Sequence, residues 1–336
     1  MSVGRLSGRR QILPDSAVFI PPHYISPVKK ALRFLAGTAT NTLATGWVLF
    51  RVMVPALLLV RLVSLLGVLE PLGGLMAPVM RIAGLPGETG IVWITGMLTN
   101  MYGGLALMAG MAGSLDLTVG QVTSLGMMLL LAHSMPVEVT VAARSGVSPL
   151  LVIPLRVGAA LLAGILLKAT GFVGAFSGKP VILWRGVPGS GGAVEWLLGL
   201  AKTMGTILLV IFVVLMALAA LERMGFTRFL RRVLGPAFRL VGIGPEATTI
   251  TVVGLVLGIS YGGGLVINAA SRGDIPRRQV TAAVCFMSLC HAIVEDTALV
   301  ATLGAWTPMI SLGRILLSWG IMALVFIFPR MRTKEN

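Results

Sequence analysis

The second half of this 336-residue chain repeats the first half at a constant offset of 158 residues. The match runs without a gap from about residue 78 to residue 156, and it aligns polar residues and prolines that chance would rarely place at one offset. A duplication of this kind predicts two structural units with the same order of elements. The aligned pairs include Pro78 with Pro236, Arg81 with Arg239, Glu88 with Glu246, Gln121 with Gln279, His133 with His291, Glu138 with Asp296 and Arg156 with Arg314.

The composition indicates that both units lie in a membrane. Apolar side chains make up 56% of the residues and charged side chains only 12%, which is typical of a polytopic membrane protein. The net charge of +15 comes from basic residues between apolar runs and at the two ends, which indicates loops facing anionic lipid and not a nucleic-acid surface. The sequence contains no phosphate-binding loop and no evident pair of nucleophile and base. We therefore expect neither a cofactor nor an enzyme.

Each unit divides in the same way, and each contains a cluster rich in glycine and proline. The clusters read "GLPGETG" (84–90) and "GIGPEAT" (242–248), and the apolar helix after each is broken at "YGG" or "YGGG". We predict an all-α fold in which each unit contributes about three transmembrane helices and one re-entrant helical hairpin that turns at the cluster. The predicted segments are 44–67, 68–84, 88–112, 119–144 and 149–172 in the first unit, and 196–221, 225–242, 246–270, 279–302 and 307–329 in the second.

The distribution of positive charge predicts that the second unit is inverted relative to the first. Arginines flank the second hairpin on both sides, whereas Glu70 and Asp116 flank the first, so only the second hairpin should open to the cytoplasm. Both termini are then cytoplasmic in a bacterial inner membrane, although Lys168, Lys179 and Arg185 would lie outside. The predicted parts are a cytoplasmic lead-in (1–40), membrane repeat 1 (41–175), a connecting loop (176–194), membrane repeat 2 (195–330) and a cytoplasmic tail (331–336).

Histidine and acidic residues lie near the middle of two otherwise apolar segments. Glu138 follows His133 by five residues, and Glu295 and Asp296 follow His291 by four and five. One acid at the centre of a membrane helix costs roughly 2.5–3.5 kcal/mol, so these residues indicate a buried partner or a function. We predict that all five carry protons or a coupling ion, because imidazole changes charge within the physiological pH range. The alternative is that the histidines bind acids of the other unit and only hold the two halves together.

The two clusters supply the candidates for binding a solute. Glu88 and Glu246 come at the start of a helix, where the positive end of the helix dipole favours a carboxylate. At the turn of a re-entrant hairpin they would reach a solute at the bilayer midplane, whereas the alternative is that they only cap their helices. No metal site is predicted, because the two cysteines lie on different helix faces and the methionines are typical packing residues. The predicted solute-binding residues are Glu88, Thr89, Asn100, Glu246 and Asn268.

The cluster sequences, the "YGG" breaks and the stretches "HSMPVE" and "HAIVED" resemble the Gate, or nucleoside-recognition, family over roughly residues 45 to 330. That family groups spore maturation membrane proteins with the permease part of the bacterial ferrous iron transporter, and it is related to concentrative nucleoside transporters. The resemblance implies that Glu88 and Glu246 occupy places similar to the hairpin acids that bind ribose in nucleoside transporters. The cysteine of the iron permease hairpin and its GTPase domain have no counterpart here, and the histidine and acid pairs have none that we can assign in the nucleoside transporters.

These features lead to three hypotheses about function. The leading one is an ion-coupled or proton-coupled secondary transporter of a small polar solute, with nucleosides among the candidates and a site near the midplane between the inverted repeats. Its partners would be the solute, a proton or cation, the lipid bilayer and further copies of the chain in a homo-oligomer. The second hypothesis is a divalent metal ion permease that uses the same histidines and acids as ligands. The third is a non-transporting membrane scaffold that resembles the spore maturation proteins.

Overall fold

A computed structural model describes residues 37–183 and 192–326, apart from scattered positions between 41 and 68, and every regular element among them is a helix. Five helical segments are long and apolar enough to cross a membrane, and a bent pair of helices is a sixth candidate. The predicted class, an all-α polytopic membrane protein, is confirmed. Most of the predicted lead-in, part of the connecting loop and the predicted tail lie outside the described residues. The five segments are Val119–Arg144, Pro149–Ala169, Ala193–Arg223, Arg277–Ala301 and Met309–Phe326.

Six helices of the first unit have a counterpart in the second, the last of which consists of a π-helical turn and the helix that continues it. Those of the second unit begin and end within two residues of the positions that the offset of 158 predicts. The first unit contains α1 (Leu69–Ile82), α2 (Thr89–Leu98), α3 (Met101–Leu115), α4 (Val119–Ala132), α5 (Met135–Arg144), α6 (Pro149–Ala169) and the short α7 (Phe172–Ala175). The long α8 (Ala193–Arg223) precedes α9 (Phe226–Leu240), α10 (Pro245–Leu257), α11 (Ile259–Arg272), α12 (Arg277–Leu289), α13 (Ile293–Ala301), a π-helical turn (Met309–Gly313) and α14 (Arg314–Phe326).

The glycine- and proline-rich clusters terminate α1 and α9. Gly84 and Gly242 have φ of 75° and 87°, a left-handed conformation that favours glycine. In both units the next amide donates to the carbonyl five residues back at 3.0 Å, and the glycine amide donates to the carbonyl three residues back. This is the Schellman arrangement, which satisfies carbonyls that a helix end would otherwise leave unpaired. Gly84 and Gly242 are therefore required for the way in which the two helices end.

Each unit turns back on itself later, between α2 and α3 and between α10 and α11. Gly96 and Gly104, eight residues apart, would be about 12 Å apart along a continuous helix. A Cβ atom built on Gly104 would lie only 3.1 Å from the Cα atom of Gly96, so the two short helices pack directly against each other. The same approach occurs between Gly254 and Gly262, where the corresponding distance is 2.5 Å. The absence of side chains at these four positions permits the two hairpins.

The chain bends by 119° at the second cluster, between α9 and α10, so the α2–α3 and α10–α11 turns are additional to the turns that we predicted at the clusters. The Gly84 carbonyl accepts a hydrogen bond from Gln121 Nε2 (3.4 Å) at the start of α4, which places the first cluster beside a helix end. The turn at Asn100 instead lies beside the middle of the α4–α5 segment, because the Ser134 amide donates to the Gly96 carbonyl at 3.0 Å. The structure thus brings the α2–α3 turn, and not the cluster, to mid-span. Asn100 is buried there, and its Oδ1 accepts a hydrogen bond from the Gly103 amide at 2.9 Å.

The two units contact each other through an aromatic group as well as through their helices. The Trp306 ring of the second unit lies 5.6 Å from the Phe172 ring and 5.1 Å from the Phe176 ring, measured between centroids. The Trp306 amide also donates to Thr123 Oγ1 at 2.8 Å. The end of α13 is therefore held against the start of α4.

Candidate functional site

Both histidines lie at breaks between helices, although the sequence indicated an interruption only in the first segment, at Pro136. His133 follows α4, and His291 lies between α12 and α13. The next residue, Ser134 or Ala292, has φ of 51° or 44°, which is uncommon for a residue with a side chain. Its amide donates to the carbonyl of the hairpin glycine of its own unit, at 3.0 or 3.2 Å. A proline follows the first break but not the second, so this shared geometry does not depend on proline.

The hydrogen bond at Nδ1 sets the orientation of each imidazole ring. His133 Nδ1 lies 3.0 Å from the Leu129 carbonyl oxygen, and His291 Nδ1 lies 2.9 Å from that of Met287. A carbonyl oxygen only accepts hydrogen bonds, so Nδ1 must carry the proton that is donated. In a neutral ring Nε2 is then an acceptor with a free lone pair. Both histidines therefore direct a proton- or metal-binding atom away from their own helix.

The two Nε2 atoms face carboxylates from both units. His133 Nε2 lies 4.0 Å from Glu138 Oε1 and 4.0 Å from Asp296 Oδ2, and His291 Nε2 lies 3.7 Å and 3.9 Å from the same two oxygens. The two rings are tilted by 51° with centroids 5.1 Å apart, and all four side chains are buried. These distances exceed those of hydrogen bonds. When both rings are neutral, the two Nε2 atoms and the two carboxylate oxygens are all acceptors, and no proton lies between them. A proton on either Nε2, or a cation among the four atoms, would make the contacts attractive.

Two buried arginines complete the cluster, and we did not predict them as site residues. Arg156 Nη2 lies 2.7 Å from Glu138 Oε1, and Arg314 Nη1 lies 3.5 Å from Asp296 Oδ2. Each arginine also donates from Nε to a carbonyl at 3.0 Å, Leu131 in one unit and its counterpart in the other. Both arginines are fully buried. The signal was present in the sequence, since an arginine inside an apolar span is costly and these two match at the repeat offset.

The charges of the cluster balance when both histidines are neutral. Two guanidinium groups face two carboxylates, and each carboxylate is paired with the arginine of its own unit. Burying charges in this way is tolerable only when they are paired. The pairing leaves some binding capacity, because Glu138 Oε2 and Arg314 Nη2 have no hydrogen-bond partner among the described residues.

Glu295, the fifth residue predicted for ion coupling, faces a different partner. Its Oε1 accepts a hydrogen bond from the Tyr102 hydroxyl at 2.5 Å, which joins the first hairpin to α13 of the other unit. The break at His291 explains why the residue five positions later, and not the one four positions later, reaches the cluster. Because the chain is not helical at His291, the spacing rule for a continuous helix does not apply there. Glu295 therefore lies in a neighbouring contact between the units.

The predicted solute-binding residues occupy two kinds of position. Glu88 and Glu246 are exposed at the starts of α2 and α10, and neither side chain caps its helix by a hydrogen bond. Thr89 is buried and donates from Oγ1 to the Pro86 carbonyl at 2.6 Å. Asn268 is exposed on α11. Of the five residues, buried Asn100 lies at the hairpin turn, next to the helix that contacts the His133 break.

Three side chains of the cluster could hold a metal ion. The ligand atoms of His133, His291 and Asp296 all lie within 4.8 Å of one another. Ligand atoms of a tetrahedral zinc ion are about 3.4 Å apart, so the two histidine–carboxylate distances would have to shorten by about half an ångström. Neutral imidazole and carboxylate suit such an ion. The two arginines oppose it, because a divalent cation would add two positive charges to a balanced cluster.

Fold and site together define a polytopic membrane protein with a buried ionisable cluster, the arrangement of a transporter-like protein. Residues 204–307 match the family model Gate, described as nucleoside recognition. The chain is 32% identical over 281 residues to the uncharacterized membrane protein YvoD of Bacillus subtilis strain 168, an alignment that covers 81% of this chain and 86% of that protein. The chain therefore belongs to the Gate family of membrane proteins, as its motifs indicated. No solved structure matches the chain.

Proposed function

We propose that this protein is a proton-coupled or ion-coupled secondary transporter of a small polar solute, and that the histidine and carboxylate cluster is its coupling site. The observation that carries the proposal is the position of both Nε2 atoms, 3.7–4.0 Å from a carboxylate of each unit. Buried ionisable residues in membrane spans are rare and typically serve ion or proton pathways. Membership of a transporter-like membrane family supports the same function.

The contacts suggest how protonation would be linked to movement of the two units. Arginine pairs with a carboxylate of its own unit, whereas each histidine approaches carboxylates of both units. A proton on Nε2 makes the imidazole a cation that attracts Glu138 and Asp296 and competes with the arginines for them. Gaining this proton therefore strengthens the attraction between the units at the expense of the arginine pairs within each, and losing it reverses the change. A ligand shifts a conformational equilibrium only through such a difference between states.

The proposed transport cycle requires an inverted repeat, and two contacts support that orientation. Arg277 Nη2, at the start of α12, donates to the Gly146 carbonyl just beyond the end of α5 at 3.4 Å. The Trp306 amide, beyond the end of α13, donates to Thr123 Oγ1 near the start of α4. The second broken segment therefore begins where the first ends and ends where the first begins. Inverted repeats allow one unit to rock against the other around a central site.

The solute is proposed to bind near the hairpin turns, with Asn100 as the buried polar contact and with Glu88, Thr89, Glu246 and Asn268 on its path. Nucleosides are the first class to test, because the matching family model is described by nucleoside recognition. The test is thermal unfolding of the detergent-purified protein with nucleosides, nucleobases and organic acids at pH 5.5 and 7.5. A ligand of the folded state at a hundred times its dissociation constant adds about 2.7 kcal/mol to stability.

The expected result is an increase in melting temperature with one solute class, which Asn100→Ala, Glu88→Gln or Glu246→Gln reduces. Glu195→Gln is the matched control, because Glu195 is an exposed acid at the start of α8 and outside both sets of candidate residues. Absence of an increase with every solute at both pH values would contradict the transport proposal. It would favour a membrane scaffold, which should instead retain a protein partner during purification.

A divalent metal permease is the second candidate, favoured by the three ligand atoms that lie within 4.8 Å of one another. It predicts that zinc or manganese at micromolar concentration raises the melting temperature, and that His133→Gln or His291→Gln abolishes the increase. Asn100→Ala should leave that increase unchanged, because Asn100 is not among the ligand atoms. Stabilisation by the metal alone, with no stabilisation by any organic solute, would replace the first proposal by this one.

We further propose that the chain lies in the bacterial inner membrane with both termini cytoplasmic and that it forms a homo-oligomer. The basic α9 and the arginines that follow α11 support this orientation, because cytoplasmic loops carry an excess of Lys and Arg. Reporter fusions at the two termini test it directly. Fluorescence of a cytoplasm-dependent reporter at both ends is expected, and an active periplasmic reporter at either end would contradict it.

A further inference from the structure

A cavity of about 360 Å³ lies between α9 and the first turn of α10, away from the histidine and carboxylate cluster. The Arg231 side chain donates a hydrogen bond from Nη1 to Thr249 Oγ1 at 3.4 Å, which joins the two helices across the cavity. A space of this size takes a small anionic group together with its water. The side chains that line it include Arg231, Arg232, Pro236, Arg239, Thr248 and Thr249.

The positive charge at this cavity is specific to the second unit. Helix α9 carries Arg228 in addition to the three arginines of the cavity and contains no acid, whereas α1 carries Arg81 as its only basic residue and also contains Glu70. The acid nearest in sequence is Glu246, exposed in the first turn of α10. The cavity therefore keeps an excess of positive charge after Glu246 is counted. Duplication alone does not account for this excess, because the equivalent helix of the first unit lacks it.

Apolar side chains lie next to the arginines on the outer surface of α9. Phe229, Val233 and Leu240 are 60%, 53% and 67% exposed and share one face by their spacing of four and seven residues. Arg232 and Arg239 have the same seven-residue spacing and define the adjacent face. An amphipathic helix with exposed apolar and basic faces lies in the plane of the membrane interface. Its apolar face then contacts acyl chains while its arginines reach the level of the headgroups.

We propose that this cavity binds the phosphate headgroup of an anionic phospholipid, with the acyl chains along Phe229 and Val233. The guanidinium group suits the role because its planar set of donors binds phosphate oxygens in pairs. Charge complementarity favours a lipid with net negative charge over a zwitterionic one. The continuous apolar face beside the arginines favours a lipid over free phosphate, because free phosphate has no apolar group to contact that face.

The test measures binding of phosphatidylglycerol to the full-length protein in micelles, with phosphatidylcholine and inorganic phosphate as comparison ligands. The variant Arg232→Gln/Arg239→Gln removes two charges from the cavity. The control Arg272→Gln/Arg278→Gln removes two exposed charges at the end of α11 and the start of α12, outside the cavity lining. Native mass spectrometry counts the retained lipids, and thermal unfolding follows the same ligands in solution.

We expect phosphatidylglycerol to bind the unmodified protein and to raise its melting temperature more than phosphatidylcholine does. An interfacial arginine changes such affinity by roughly 5-fold, so the cavity variant should bind about 25-fold more weakly and the control much less so. Equal losses in the two variants would overturn the proposal and indicate a general effect of surface charge. Equal stabilisation by inorganic phosphate would also overturn it, in favour of a site for a soluble anion.

Discussion

The Nη2 atom of Arg156 lies 2.7 Å from Oε1 of Glu138, and neither side chain is accessible to solvent. Removing one partner of a buried pair leaves an unpaired charge, so Arg156→Met should lower the free energy of unfolding by about 3–5 kcal/mol. The double variant Arg156→Met/Glu138→Met should recover much of that loss, because it removes both charges. Equilibrium unfolding in mixed micelles measures both. Equal instability of the single and double variants would show that the pair is not the stabilising contact.

The hydrogen bond between the Tyr102 hydroxyl and Glu295 Oε1 connects residues 193 positions apart. A bond to a charged group contributes about 1.5–3 kcal/mol, so Tyr102→Phe should destabilise the protein by that amount. Tyr261→Phe is the matched control, because Tyr261 is 61% exposed. Glu295→Gln keeps an acceptor and should cost less than Tyr102→Phe. If the two tyrosine variants unfold at the same temperature, this contact does not join the units.

The close approach of α2 and α3 makes a third prediction about stability. A side chain at Gly104 would meet the Gly96 backbone and Leu129 Cδ2, both at 3.1 Å, so Gly104→Ala should destabilise by about 1–3 kcal/mol. Gly158→Ala is the control, because nothing lies within 4 Å of a Cβ built there. That change should be neutral or slightly stabilising. Equal melting temperatures for the two alanine variants would contradict the hairpin geometry.

The cluster geometry predicts one tautomer for both histidines. Nδ1 of His133 and His291 donates to a carbonyl, so Nε2 should be the unprotonated nitrogen of the neutral ring. The chain has three histidines, and His23→Asn leaves only the two in the cluster for ¹⁵N-histidine NMR. At alkaline pH the spectrum should contain protonated Nδ1 and unprotonated Nε2 signals. Protonated Nε2 signals at alkaline pH would contradict the orientation in which Nε2 faces the carboxylates as an acceptor.

The positions of most helices could be predicted from the sequence, because the repeat and the apolar segments each extend over many residues. The predicted segment 119–144 has the same limits as the observed α4–α5 segment, and the predicted 196–221 lies within α8. Pro136 indicated an interruption after His133, but the matching break at His291 could not be predicted, because no proline follows it. Left-handed conformations at Ser134 and Ala292 have no local signature, since neither residue is glycine. They are stabilised by hydrogen bonds to the hairpin glycines, which are contacts between segments distant in sequence.

Which residues form the site was predictable only in part, because this too depends on contacts between segments distant in sequence. The sequence placed His133, His291, Glu138 and Asp296 in one candidate group, and the structure brings these four together. It did not indicate that Glu295 would face Tyr102, because that depends on how the chain leaves the break. The arginines were recognised only as matched residues of the repeat, since their role becomes visible when α6 and α14 pack beside the broken segments.

The most direct test of the central claim measures proton movement in proteoliposomes that contain a pH-sensitive dye. After the thermal panel has identified a solute, that solute is added outside vesicles containing the unmodified protein or His133→Gln/His291→Gln. The expected result is solute-dependent acidification of the lumen by the unmodified protein and none by the double variant, although both bind the solute and unfold at similar temperatures. Solute-dependent acidification that is equal in the two proteins would contradict a coupling role for the histidine and carboxylate cluster.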